Sequence, residues 1–248
     1  MTSSLPYEQL LRFNRQIVLP QVDIDGQERL SAARVLVIGL GGLGNAASQS
    51  LAGGGVGHLT LVDHDVVETT NLPRQPLFTD TDCGRLKVDA AKERLAALNP
   101  ACRITAVDQA VSPSTLPALL AGHDVVLDCT DNVAARDAIN AACVQHARPL
   151  VSAAAIRFEG QVFVVRQAPP CYACVRALFS APRLSCTEAG IFSPVAAITG
   201  TYQALLALQL LLGLPVPEGC LLCFDALTHQ WQPFTVPPHP ACPVCRSL

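Results

Sequence analysis

The stretch Arg34-Val-Leu-Val-Ile-Gly-Leu-Gly-Gly-Leu-Gly-Asn45 runs from an apolar segment into a glycine turn that matches G-x-G-x-x-G. A short apolar run bounded by glycine reads as a buried strand, and residues 45–52 read as the helix that follows. The next apolar run, His58-Leu-Thr-Leu-Val-Asp63, ends in a carboxylate. Strand, glycine turn, helix and acidic strand end together make the context of a nucleotide fold. Glycines at 39, 41, 42 and 44 let the backbone approach phosphate, and the helix N-terminus favours negative charge. Asp63 is placed to accept hydrogen bonds from ribose hydroxyls. The motif alone leaves NAD and ATP as alternatives.

Beyond this unit, helices and strands keep alternating. Residues 87–98 read as a helix ended by Asn99-Pro100, 104–107 as a strand, 124–128 as a buried strand, 133–146 as a helix and 150–152 as a return to the sheet. That order predicts an α/β fold with a Rossmann-like parallel sheet covered on both faces. After residue 155 the pattern changes. Gln161-Val-Phe-Val-Val-Arg166 alternates as an antiparallel strand does, so the sheet is expected to continue with antiparallel strands. A Cys/Pro-rich segment over 169–193, a long apolar helix, a strand at 221–225 and a Pro-rich tail follow. At the amino end, Tyr7 to Leu19 reads as one amphipathic helix ended by Asp23-Ile-Asp-Gly26, with a second short helix before Arg34.

Hydrophobic residues make up 50% of the 248 and charged residues 15%, which permits a sizeable core and argues against disorder. A net charge of -3 with no basic run gives no nucleic-acid footprint. The amino terminus lacks a basic segment followed by an apolar one, so no signal peptide is expected and a cytoplasmic location is. The apolar stretch Val195 to Leu214 is interrupted by Thr199, Gln203 and Gln209 and has no closely flanking Lys or Arg. It reads as a buried core helix, with no membrane partner.

The charges near the strand ends shift the balance towards ATP. Asp65 stands just past the Asp63 strand end, Asn71-Leu-Pro-Arg74-Gln75 lies on the loop beyond, Lys87 opens the next helix, and Asp131-Asn132 follows the 124–128 strand. In an open α/β sheet these positions share the ligand-binding edge. A triphosphate needs cations, and Mg²⁺ needs a carboxylate; hydride transfer needs neither.

These residues occur in the order Arg12-Phe-Asn-Arg15-Gln16, Gly39 to Gly44, Asp63-His-Asp65, Asn71-Leu-Pro-Arg74-Gln75, Lys87, Asp128-Cys-Thr-Asp131-Asn132. The combination closely resembles the MoeB/ThiF/HesA family, relatives of the ubiquitin-activating enzymes, over nearly the whole chain. The resemblance implies ATP-dependent adenylylation of the C-terminal glycine of a ubiquitin-like sulfur-carrier protein ending in Gly-Gly. The local runs 128–134 and 154–161 favour the carrier of molybdopterin synthase over the thiamine-pathway carrier. A nicotinamide dehydrogenase is the alternative from another class.

Carried over residue by residue, the resemblance implies that the glycines and Asp63 line the nucleotide together with Asp65, Thr70, Gln75 and Asn132. It gives the phosphates to Asn71, Arg74 and Lys87, and Mg²⁺ to Asp131. Arg15 would reach the partner subunit's site, which implies a homodimer. Pro73 departs from the polar residue of the family. The expected organisation is one domain over 1–248, with N-terminal helices (1–32), a nucleotide-binding half (33–155) and a carrier-binding half (156–248).

The chain has 11 cysteines, three pairs of them spaced C-x-x-C. Cys171/Cys174 and Cys242/Cys245 lie in Pro-rich loops, and two such knuckles make a four-thiolate tetrahedral Zn²⁺ site. Cys220/Cys223 reads as strand, where residues three apart face opposite sides. Cys186 stands alone. The resemblance leaves it two roles: a thiol that takes the acyl group, or a loop residue without chemistry.

Overall fold

A computed structural model describes residues 4–179 and 189–246. Its centre is one eight-stranded sheet in the order β3-β2-β1-β4-β5-β6-β7-β8. The strands are β1 (Arg34–Ile38), β2 (His58–Asp63), β3 (Arg103–Asp108), β4 (Val125–Asp128), β5 (Leu150–Ile156), β6 (Glu159–Val165), β7 (Cys220–Asp225) and β8 (Gln230–Thr235). The first five pair in parallel, and β5 to β8 pair antiparallel. The helices are α1 (Tyr7–Arg12), α2 (Asn14–Ile17), α3 (Asp23–Ala32), α4 (Gly42–Gly53), α5 (Lys87–Leu98), α6 (Leu116–Leu120), α7 (Val133–Gln145), α8 (Tyr172–Ala177) and α9 (Ser193–Leu212).

Alternation along β1 divides the core in two. Val35 and Val37 join the cluster shared with α4, α5 and α9, whereas Leu36 and Ile38 face the cluster shared with α6 and α7. Both faces of the parallel strands are therefore covered, which is why these strands read as unbroken apolar runs. Truncating a side chain such as Leu59 or Leu61, both fully buried, to alanine would cost about 2–5 kcal/mol.

The long apolar helix, α9, lies against α4 and the sheet. Gly200 allows this approach, since a Cβ there would stand 2.3 Å from Leu43 O. Buried Gln203 donates to Asp128 O at 2.9 Å and Val151 O at 2.7 Å. It thereby ties α9 to the carboxyl end of β4 and to the start of β5. Those polar contacts belong to a core helix, as expected from its interruptions.

Two expectations at the chain ends are corrected. The amino-terminal helix breaks at Phe13, the residue between α1 and α2, whose buried ring packs on Gly55, and Asp23-Ile-Asp-Gly26 opens α3 instead of ending a helix. Gly26 is inside α3 because the helix presses on Leu212, 3.0 Å from where a Cβ would be. The Pro-rich tail contains a further strand, β8. Its Pro233 is tolerated on the sheet edge, where one N–H is not needed for pairing.

Candidate active site

Strand order reverses around β1: the chain proceeds to β2 and β3 on one side, then crosses to β4 on the other. The crevice beyond Ile38 and Asp128, which are register partners, is the switch point where such sheets bind ligands. The glycine turn fills it. Gly39 adopts φ +92°, and a Cβ on it would lie 2.9 Å from Cys129 O. A Cβ on Gly42 would lie 2.9 Å from Ala196 Cβ and 3.2 Å from Arg74 O. Of the four turn glycines, Gly41 is the one whose Cβ would meet nothing within 4 Å among the described residues. No side chain caps α4, so its first amides open on the crevice with the positive end of the helix dipole behind them.

Around this turn is a cleft of about 900 Å³. It gathers Gly39, Gly41, Gly42, Asp63, Asp65, Thr70, Asn71, Arg74, Gln75, Lys87, Asp131 and Asn132. Gly44 is the exception among the glycines. It does not line the cleft, and a Cβ there would stand 1.9 Å from Gly39 O, so its role is to close the turn.

The side chains fall into two groups. Several are tied to the protein. Asp63 accepts from Leu40 N–H at 2.6 Å and Asp65 N–H at 2.8 Å, locking the glycine turn to the end of β2. Asn71 Oδ1 accepts from Glu68 N–H in a reciprocal capping box that starts the 3₁₀ turn Thr69–Arg74. Asn132 caps α7 through Ala135 N–H. Lys87, buried, pairs with Asp65 at 2.8 Å, and this hydrogen bond, opposed by desolvation, holds the Asp65 carboxyl below its usual range.

Others look into the cleft. Gln75 Oε1 is buried without a hydrogen-bond partner among the described residues. Asp131 is exposed and takes no donor among the described residues. Arg74 donates to Thr70 O at 2.8 Å, which curls its guanidinium back over the 3₁₀ turn. An orphaned acceptor, open amides, the cations Arg74 and Lys87 and an uncommitted carboxylate fit a nucleoside triphosphate with a divalent cation.

The cysteine cluster lies in the half of the core shared with α6 and α7. Cys171, Cys174, Cys242 and Cys245 are buried with their sulfurs all within 4.8 Å of one another. Cys171 and Cys242 stand 3.7 Å apart, Cys174 and Cys245 3.5 Å. A tetrahedron of Zn–S bonds of about 2.3 Å has edges of about 3.8 Å, so the cluster is compatible with zinc. Burial pushes the Cys171 and Cys245 thiols up. At Cys242 burial acts the same way, but the Cys245 and Val244 N–H groups and the neighbouring thiols outweigh it and bring the thiol down to about 7.

Residues 13–244 match the model of the ThiF family. The chain belongs to that family. It is 46% identical over 246 residues to the molybdopterin-synthase adenylyltransferase of Escherichia coli (strain K12), covering 98% of this chain and 99% of that one. It is 44% identical over 239 residues to the sulfur carrier protein ThiS adenylyltransferase of the same organism, covering 95% and 94%. The crystal structure of E. coli MccB with AMPCPP and MccA superposes with a TM-score of 0.85 at 21% identity, covering 98% of this chain and 76% of that one. At that identity the likeness speaks for the fold.

Within this ThiF-family chain, Arg15 is exposed on α2 and does not line its own chain's cleft. Cys186 lies outside the described residues. Arg136 was missed by sequence reasoning. It is buried, lines the cleft and donates to Thr130 O. Its place in the first turn of α7, just after the Asn132 cap at the ligand-binding edge, was the available signal.

Proposed function

We infer that this chain adenylylates the C-terminal glycine of a small ubiquitin-like sulfur-carrier protein of the molybdopterin-synthase type, in molybdenum cofactor biosynthesis. The observation that carries the reading is the cleft. There the open start of α4, Arg74 and Lys87 stand across from the uncommitted Asp131, in a chain that aligns end to end with a molybdopterin-synthase adenylyltransferase.

The chemistry follows from charge. A carboxylate oxygen of the carrier attacks the α-phosphorus of ATP, the bond from that phosphorus to the bridging oxygen breaks, and pyrophosphate departs with the electron pair. The nucleophile is already an anion at neutral pH, so no general base is needed. The chain's part is to position and to neutralise. Arg74 and Lys87 offset phosphate charge, the first α4 N–H groups donate to an anionic oxygen, and Asp63 and Gln75 orient the nucleoside. Asp131 would hold Mg²⁺, which when bound withdraws charge from the phosphates. Zn²⁺ at the four cysteines would serve structure by pinning the tail to α8.

Arg15, remote from its own cleft, supports the reading that two copies assemble and that it completes the partner's site. A reducing cytoplasm suits four clustered free thiols. The similarity to a ThiS adenylyltransferase favours the thiamine-pathway carrier as the second reading.

Carrier-dependent exchange of labelled pyrophosphate into ATP tests both, with the two carrier types compared. Exchange with the molybdopterin-type carrier is expected. Exchange only with the other would move the assignment, and exchange with neither would end it.

A further inference from the structure

Asp82 lies outside the cleft lining and is 1% exposed, yet its carboxylate collects four donors. Oδ2 accepts from Thr79 N–H at 2.9 Å, the Thr79 hydroxyl at 2.9 Å and Arg94 Nη2 at 3.2 Å. Oδ1 accepts from Arg85 Nη1 at 2.8 Å. Burial would raise this carboxyl, but the Thr79 and Arg94 donors hold it at about 2. Desolvating this charge is costly, and the four donors, two of them from guanidinium groups, offset that cost only while they hold their positions.

The two arginines bracket Lys87. Arg85 precedes it by two residues, and Arg94 follows it by seven, two turns along the same face of α5. Asp82 O also accepts from Arg85 N–H at 2.9 Å. From there the backbone runs antiparallel along residues 65–67. Gly84 N–H donates to Val67 O at 2.8 Å, Val67 N–H to Arg85 O at 2.9 Å, and Lys87 N–H to Asp65 O at 2.9 Å. Leu86, the cap position of α5, supplies no side-chain hydrogen bond to start the helix. The entry angle of α5, and with it Lys87, is thus set by this ladder and by the carboxylate that holds Arg85 before Lys87 and Arg94 after it.

We propose that Asp82 is a positioning residue for nucleotide use: by holding Arg85 and Arg94 it fixes where Lys87 Nζ stands on the cleft wall. This rests on the reading in which Lys87 holds the triphosphate.

Asp82→Asn, Lys87→Ala and the double variant of the full chain test it. The readouts are KM for ATP and kcat in carrier-dependent pyrophosphate exchange, and the rate at which an amine-acylating reagent labels Lys87, followed by mass spectrometry. Asp82→Asn is expected to raise KM for ATP about tenfold or more while kcat changes by less than about twofold. It should add nothing to Lys87→Ala, and Lys87 should be labelled faster. Arg85→Gln, a half-exposed position that loosens one grip, should shift KM in the same direction by less.

A fall in kcat with unchanged KM would mean a merely structural carboxylate and would overturn the proposal. Multiplying KM effects in the double variant, or unchanged Lys87 labelling, would overturn it as well. If the native chain catalyses no exchange, the functional reading fails by itself, while the labelling rates still decide whether Asp82 places Lys87.

Discussion

The nucleotide cleft and the cysteine cluster sit on the same sheet and treat their polar groups in opposite ways. Among the described residues, the cleft leaves Gln75 Oε1 buried with no partner, Asp131 exposed with no protein donor, and the first amides of α4 uncapped. In the cluster all four sulfurs are buried and in contact, and the protein adds donors to them. His239 N–H approaches Cys174 Sγ at 3.4 Å, Cys245 N–H approaches Cys242 Sγ at 3.5 Å, and the Asn140 amide approaches Cys171 Sγ at 3.5 Å. Groups left open are suited to a ligand that comes and goes. Groups closed on one another suit an ion that stays and staples the chain. The difference separates turnover from stability, and it can be broken by removing one side chain from each region.

The largest effect is expected at the cleft. Asp131→Ala should lower exchange activity about a thousandfold, equivalent to about 4 kcal/mol of transition-state stabilisation, with an unchanged melting temperature. Retained exchange would remove Asp131 from the reaction and dissolve the contrast. Next, Cys174→Ser should lower metal content and cost about 3 kcal/mol of stability, or about 10 °C for a chain of this size, while KM for ATP stays near its native value. Zinc remaining near one per chain, measured by elemental analysis, would reject the four-thiolate assignment.

The smallest effect sharpens the comparison at the opposite, amino edge of the same strands. There His58 pairs with Thr105 at 2.8 Å and His123 with Thr60 at 2.8 Å. Burial is the main cause that lowers both imidazoles, and Arg34 and Arg103 add to it at His58. A lowered folded value means that the unfolded chain binds protons first. Stability should therefore be complete above the unfolded histidine pKa of about 6.5 and decline as pH falls below it. The urea midpoint should drop between about pH 7 and about pH 5, and less steeply in His123→Gln. An identical slope in that variant would count against the histidine pair as its source.

Much of this was legible because it is local. The alternation of apolar runs and helices predicted the parallel half, and the glycine turn with Asp63 predicted the switch-point crevice. The strand reading of Cys220 and Cys223 held because three-residue spacing on a strand points to both faces. The helix break at Phe13 and the strand β8 were not legible. Phe13 is decided by packing between distant elements, and β8 forms on the edge of β7 despite a proline that argues against a strand.

The sequence by itself determined the kinds of groups present and their local geometry: a backbone able to approach phosphate, cations and carboxylates at strand ends, and two knuckles of thiols. These follow from backbone sterics and side-chain period, which act over a few residues. Only the tertiary structure decided how those groups are committed. It gave Asp63 to the glycine turn, set Lys87 against Asp65, turned Gly44 inward, added Arg136 to the cleft wall, and joined cysteines 71 residues apart. Such pairings depend on which distant surfaces exclude water together, and no local spacing encodes that choice.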